Sequence, residues 1–247
     1  MTLSLSQATE LAAAVAQPLG AAGAAFYFHK DTLAKGKELG LDGMRFYMLG
    51  RGSVLGDAPS GVVASAFGYF NPATVAKLWD SAKEKVAPAE AASTYHLCCA
   101  EVGRQKLADV DGLDAFCDAA EAVIAGTDIA GLALYAGIAA MPRVDDVPGK
   151  AMQLAATLRE LRGSVHLNAL IASSISPAIA HCVQRPEMIA AFGWDPAPDT
   201  SGFDESKRAG AEALTDAMVA EGMLGLTEAQ AAALRDGAAA IAAALAA

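Results

Sequence analysis

Arg159, Arg162 and His166 are spaced i, i+3 and i+7 in the sequence. On a helix this spacing draws the three side chains into one stripe. Leu154, Leu158, Leu161 and Val165 recur at helical spacing beside them and make an apolar stripe. The two stripes lie roughly a quarter turn apart. A cationic stripe next to a buried one faces the edge of a core, where a cleft forms. Guanidinium forks suit carboxylate and phosphate oxygens. A histidine titrating near neutrality can move a proton, which makes His166 the candidate catalytic acid or base. The competing reading is a solvated basic face. Gly163 falls inside the stripe, and a glycine in a helix interior costs about 1 kcal/mol relative to alanine. Its presence points to a close approach at that position.

Arg51 is the third candidate anion ligand. Gly50, Gly52, Gly56, Pro59 and Gly61 surround it with backbone that can pack closely. Arg51, Arg159 and Arg162 could converge on one anion, or could be paired structurally with Glu101, Asp57 or Glu160. Tyr27 and His29 share a face if the chain is extended there and diverge if it is helical. Both are candidate ligand-binding residues, although His29 beside Lys30 and Asp31 also reads as a surface residue. Trp79 and Tyr27 are the candidates for an apolar wall. Asn168 faces away from His166 on a helix and reads as structural.

Several chemistries are excluded. Gly50-Arg51-Gly52-Ser53 lacks the Lys-Ser/Thr ending of a phosphate loop. No Ser-centred nucleophile elbow or dinucleotide fingerprint is present, so no cofactor is identified. His96, Cys98 and Cys99 resemble half of a zinc site, but the second spaced pair is missing, and no metal is assigned. The residues name no reaction.

The 247 residues suffice for a sizeable core of one or two domains. Alanine abounds and hydrophobic residues reach 54% with only 6% aromatic, which predicts a mostly α protein. The formal net charge of −10 argues against nucleic acid as a partner. Met1 to Leu19 lacks the basic start of a signal peptide, and Pro18 breaks the apolar run from Leu11 to Ala25, so no membrane association is expected. Four cysteines, two of them adjacent, fit buried thiols in a reduced cytoplasm.

Read in order, helices are expected over 6–16 with Ser6 as cap, to Leu39, from Asp42-Gly43, over 62–67 and from Asn71-Pro72. Further helices follow over 88–107, 112–125, about 149–173, from Ser176-Pro177, over 206–221, and after Thr227. Pro18 to Gly23 reads as a break. Met141 to Pro148, with two prolines and two aspartates, is the clearest linker. It divides the chain into an N-terminal helical lobe, 1–143, and a C-terminal helical lobe, 144–247. Val62-to-Trp79 echoes Ile179-to-Trp194, which suggests a degenerate internal duplication. The sequence leaves a homodimer open.

The order of these pieces resembles a family, found mostly in actinobacteria, described as helix-turn-helix or MarR-like. The match runs through Pro18-Leu19, Tyr27-Phe28, Asp31, Gly50-Arg51 and Gly56. It continues through Val63, Phe67 and Phe70-Asn71-Pro72 to Val75. Its strongest part covers Leu158-Arg159-Glu160, Arg162-Gly163, His166 and Ala169-Leu170, and Gly193-Trp194 lies downstream. The chain departs from the pattern at Gly20 and Leu161, which stand where the family often has histidine, and at a shortened wing over 222–226. The departures remove the histidines on which metal or His-pair chemistry would rest. The resemblance implies winged-helix-like elements and a transcriptional regulator. The residues themselves imply a cytoplasmic helical protein that binds a small organic ligand, or acts on an anionic or apolar metabolite, in a cleft between lobes.

Overall fold

The computed structural model describes residues 1–247. The chain folds into twelve α-helices with no strand. Its first half holds α1 (Leu5–Ala24), α2 (Lys30–Glu38), α3 (Gly43–Gly52), α4 (Ser60–Phe67), α5 (Pro72–Lys83) and α6 (Pro88–Lys106). The second half holds α7 (Leu113–Gly126), α8 (Ala133–Ala139), α9 (Val147–Ala172), α10 (Pro177–Gln184), α11 (Glu205–Glu221) and α12 (Glu228–Ala246). The mostly α class is as expected. The winged-helix element is not, because a wing needs paired strands and the only β pairing is an isolated bridge between Thr2 and Thr227.

Helix starts follow the capping chemistry of the sequence. Asp42, Asn71 and Asp146 each accept a hydrogen bond from the first turn they precede. Thr227 and Gln230 form a reciprocal capping box. The first helix starts earlier than expected, because Ser4 and Gln7 make the box and not Ser6. It also runs through Pro18 without a break. Proline removes one backbone donor, but Ala12, Val15, Leu19 and Ala22 are buried on either side of it, and that packing holds the turn.

α9 is the spine. It is 26 residues long, about 39 Å at the usual rise. α1, α6, α7, α8 and α11 pack around it, and α12 closes over α1 and α7. α9 starts inside the expected linker, since Asp146 is its cap and Pro148 sits in its first turn, where proline is tolerated. Backbones touch where α1 crosses it. A Cβ placed at Gly23 would lie 2.7 Å from Arg159 Cβ and 2.9 Å from the Ala155 carbonyl oxygen. The main core cluster runs from Leu3 to Ile241 and crosses the 143/144 division. Val62-to-Trp79 and Ile179-to-Trp194 fold differently, the first into α4, turn and α5, the second into α10 and a three-residue 3-10 turn at Pro186–Met188. No helix is long and apolar enough to cross a membrane.

Candidate functional site

A cleft of about 690 Å³ opens beside α9, and Arg51, Arg159, Arg162 and His166 all line it. Leu158 and Gly163 continue the α9 wall, and α1 contributes Val15, Leu19, Gly20 and Ala24. The aromatic part of the lining comes from Tyr47, Phe67, Tyr69, Phe70 and Phe192, with His181 of α10 among them. Phe70 stacks on Phe192 at 4.0 Å between centroids, and His181 lies 4.1 Å from the same ring.

Glu160, facing away from the cleft, organises two of the arginines. Arg51 donates to it twice, Nη2 to Oε2 at 2.6 Å and Nε to Oε1 at 3.1 Å. Arg159 Nη1 donates to Glu160 Oε1 at 2.7 Å and to the Tyr27 hydroxyl oxygen at 2.9 Å. The Tyr27 hydroxyl donates in turn to Glu160 Oε1 at 2.5 Å. Glu160 is 2% exposed. Burial opposes its charge, but Arg51 and then Arg159 overcome that, and its carboxyl falls to about 2. Burial keeps the Tyr27 phenol protonated far above the usual range. Arg51 is therefore spent: its remaining Nη1 donates to Tyr47 at 3.1 Å, and its plane lies 4.3 Å over the Phe67 ring.

Arg159 and Arg162 are not spent. Arg159 makes its bonds through Nη1 alone, and Nε and Nη2 have no protein partner. Arg162 uses only Nη2, against Glu212 at 3.0 Å and Asp216 at 3.1 Å. Their side chains are 30% and 24% exposed, against 12% for Arg51, so the uncommitted donors are reachable from the cleft.

His166 is held by α11. Its Nδ1 lies 2.9 Å from Thr215 Oγ1. The Thr215 hydroxyl donates its single proton to the Ala211 carbonyl at 2.7 Å, so it can only accept from the ring. Nδ1 therefore carries the hydrogen in the neutral ring, and Nε2 carries the lone pair. Burial pushes the His166 pKa down, with Glu212 working the other way, which favours that neutral form. Nε2 lies 3.6 Å from Glu212 Oε1.

The other candidates fall elsewhere. Tyr27 stands behind the arginines, orienting Glu160 and Arg159. His29 caps α2, its Nδ1 accepting from the Asp31 amide at 3.4 Å. Trp79 is wholly buried in the core, and its indole donates to the Ala58 carbonyl at 3.0 Å, so it lines no part of the cleft. Asn168 donates to the Gly131 carbonyl, a structural contact. Of the expected partners, Glu160 pairs with arginine while Glu101 and Asp57 pair with Arg104 and Lys83. Burial raises the Cys99 thiol strongly and Cys98 to about 11, and no group of three His, Cys, Asp or Glu is placed to hold a metal. Glu212, Thr215, Tyr69 and His181 were missed. No local signal marks them: Glu212 and Tyr69 reach the cleft from segments distant in sequence from α9, Thr215 acts by holding the His166 ring, and His181 is on the short helix after α9.

Two pairs of consecutive helices meet through short turns, α2–α3 and α4–α5. A helix-turn-helix family profile matches residues 12–247. The chain belongs to a helix-turn-helix family. No curated protein and no solved structure matches it. In this member, the turn after α4 supplies Tyr69 and Phe70 to the cleft.

Proposed function

We propose that the protein binds a small organic anion in the cleft beside α9, with Arg159 and Arg162 holding the acidic group next to His166. The observation that carries this is the uncommitted donor set: two half-buried guanidiniums, each paired through one nitrogen only, on the wall of one cleft. The cleft volume suits a small molecule. His166 Nε2 can accept a proton from the ligand, and Glu212 would stabilise the resulting imidazolium. Arg51, Tyr27 and Glu160 fix Arg159 in place.

The test is calorimetric titration with 2-naphthoate and decanoate. At least one should bind, and Arg162→Ala should weaken it about tenfold or more, since a charge-assisted hydrogen bond contributes roughly 1.5–3 kcal/mol. Arg162→Lys should recover only part of the loss if a forked contact is used. Binding unchanged in both Arg159→Ala and Arg162→Ala would remove the arginines from the site.

A DNA-binding regulator is the second reading, favoured by the family. α3 is largely buried, and α5 exposes Lys77 and Asp80, whose charges cancel. Lys83 is paired with Asp57. Duplex binding relies on a basic face neutralising phosphates. A mobility shift at nanomolar protein that weakens steeply with salt would make this second reading the better one.

A further inference from the structure

Gly20 of α1 and Gly163 of α9 both lie in helix interiors and both line the cleft. A Cβ at either would meet nothing within 4 Å. Packing therefore explains neither, in contrast to Gly23, where the same two helices touch. Glycine in a helix interior works against folding, and these two leave bare backbone on the cleft wall, open to a ligand. Gly20 continues a smooth strip with Ala12, Ala16 and Ala24, one residue per turn, all lining the cleft.

A polar group in the same cleft also lacks a partner. Tyr69 lines the cleft, and burial of its phenol raises its pKa. His181 Nε2 is buried without a partner. Buried polar groups are normally satisfied, and a ligand in the cleft is the partner that His181 Nε2 points to. Phe70, Phe192 and His181 stack on one another at the cleft wall and make it a rigid aromatic surface.

Resting on the organic-anion reading above, we propose that the ligand is a planar aromatic or heteroaromatic anion, its ring lying against the bare backbone at Gly20 and Gly163 and its acidic group on Arg159 and Arg162. A flexible alkyl acid or a thick alicyclic cage has no use for bare backbone, whereas a flat ring gains contact only when no side chain holds it off.

The experiment compares 2-naphthoate with adamantane-1-carboxylate, matched in charge and carbon count but flat against globular, on wild type, Gly20→Ala, Gly163→Ala and Arg162→Ala. Calorimetry gives affinity and thermal melting gives stability. Naphthoate should bind wild type at least tenfold tighter than the cage. Each glycine variant should weaken naphthoate about tenfold, the usual effect of one misplaced methyl in a pocket. Each should also melt no lower than wild type, because the added methyl meets no protein atom. Equal affinities for the two acids, or glycine variants that bind naphthoate as wild type does, would overturn the planar ligand. Arg162→Ala would still lose affinity in that case, leaving the anion site standing. Failure of both acids to bind, with no response in Arg162→Ala, would overturn the anion site and the planar ligand together.

Discussion

At the scale of single residues, Arg51 is a candidate anion ligand that the fold commits to internal pairing. The sequence offers three arginines and a choice between converging on an anion and pairing internally. The structure divides them: Arg51 is consumed by Glu160 and Tyr47, while Arg159 and Arg162 keep donors free. The choice was illegible because Arg51 and Glu160 lie 109 positions apart, and only the fold brings them together. Breaking a buried pair from one side is costly, since the orphaned charge stays desolvated. Glu160→Ala should therefore lower the unfolding free energy by about 3–5 kcal/mol in urea denaturation, far beyond an ordinary surface substitution. A loss under about 1 kcal/mol would mean that Arg51 and Arg159 rehydrate freely, as surface ion pairs do.

At the scale of elements, helix starts were legible because their caps are local: Asp42, Asn71 and Thr227 announce the helices they precede. Helix continuity was not. Pro18 reads as a break, yet the buried face of α1 on both sides of it carries the helix through, a tertiary effect that no local rule contains. Close crossings were equally hidden. Gly163 suggested a close approach without saying of what; no protein atom comes near it, and helices touch instead at Gly23 and at Gly103, where α6 meets the start of α9. A Cβ at Gly103 would overlap the Pro148 carbonyl and lie 2.7 Å from Met152 Cβ, both too fixed to step aside. Gly103→Ala should consequently destabilise by roughly 1–3 kcal/mol despite alanine's better helix propensity. A rise in melting temperature for this variant would show that α6 slides on α9.

At the scale of the whole molecule, α9 is a charged rod set in an apolar bundle, so acid should act on it directly. A second, smaller pocket of about 30 Å³ is lined by Glu160, Arg51, Tyr27, Tyr95 and His96. His96 falls from 6.5 to about 4, chiefly through burial, then through the Arg143 charge, with a hydrogen bond to the Pro142 carbonyl opposing. Its folded value lies below its unfolded one. Below pH 6.5 the unfolded chain takes up a proton that the folded one refuses, and stability drains away down to about pH 4. His166 and His181, lowered by burial in the same direction, steepen this upper limb. Glu160 acts lower down. Its carboxyl falls from 4.5 to about 2, so the stability it contributes is complete above 4.5 and is lost as pH falls toward 2. The melting temperature should thus decline continuously from pH 6.5 to 2 rather than collapse in one carboxylate step. His96→Gln removes a titrating group and should flatten part of the upper limb while leaving the Glu160 limb intact. A melting temperature that holds constant from pH 7 to 5 in the wild type would mean that water reaches these histidines and that burial does not lower their pKa values.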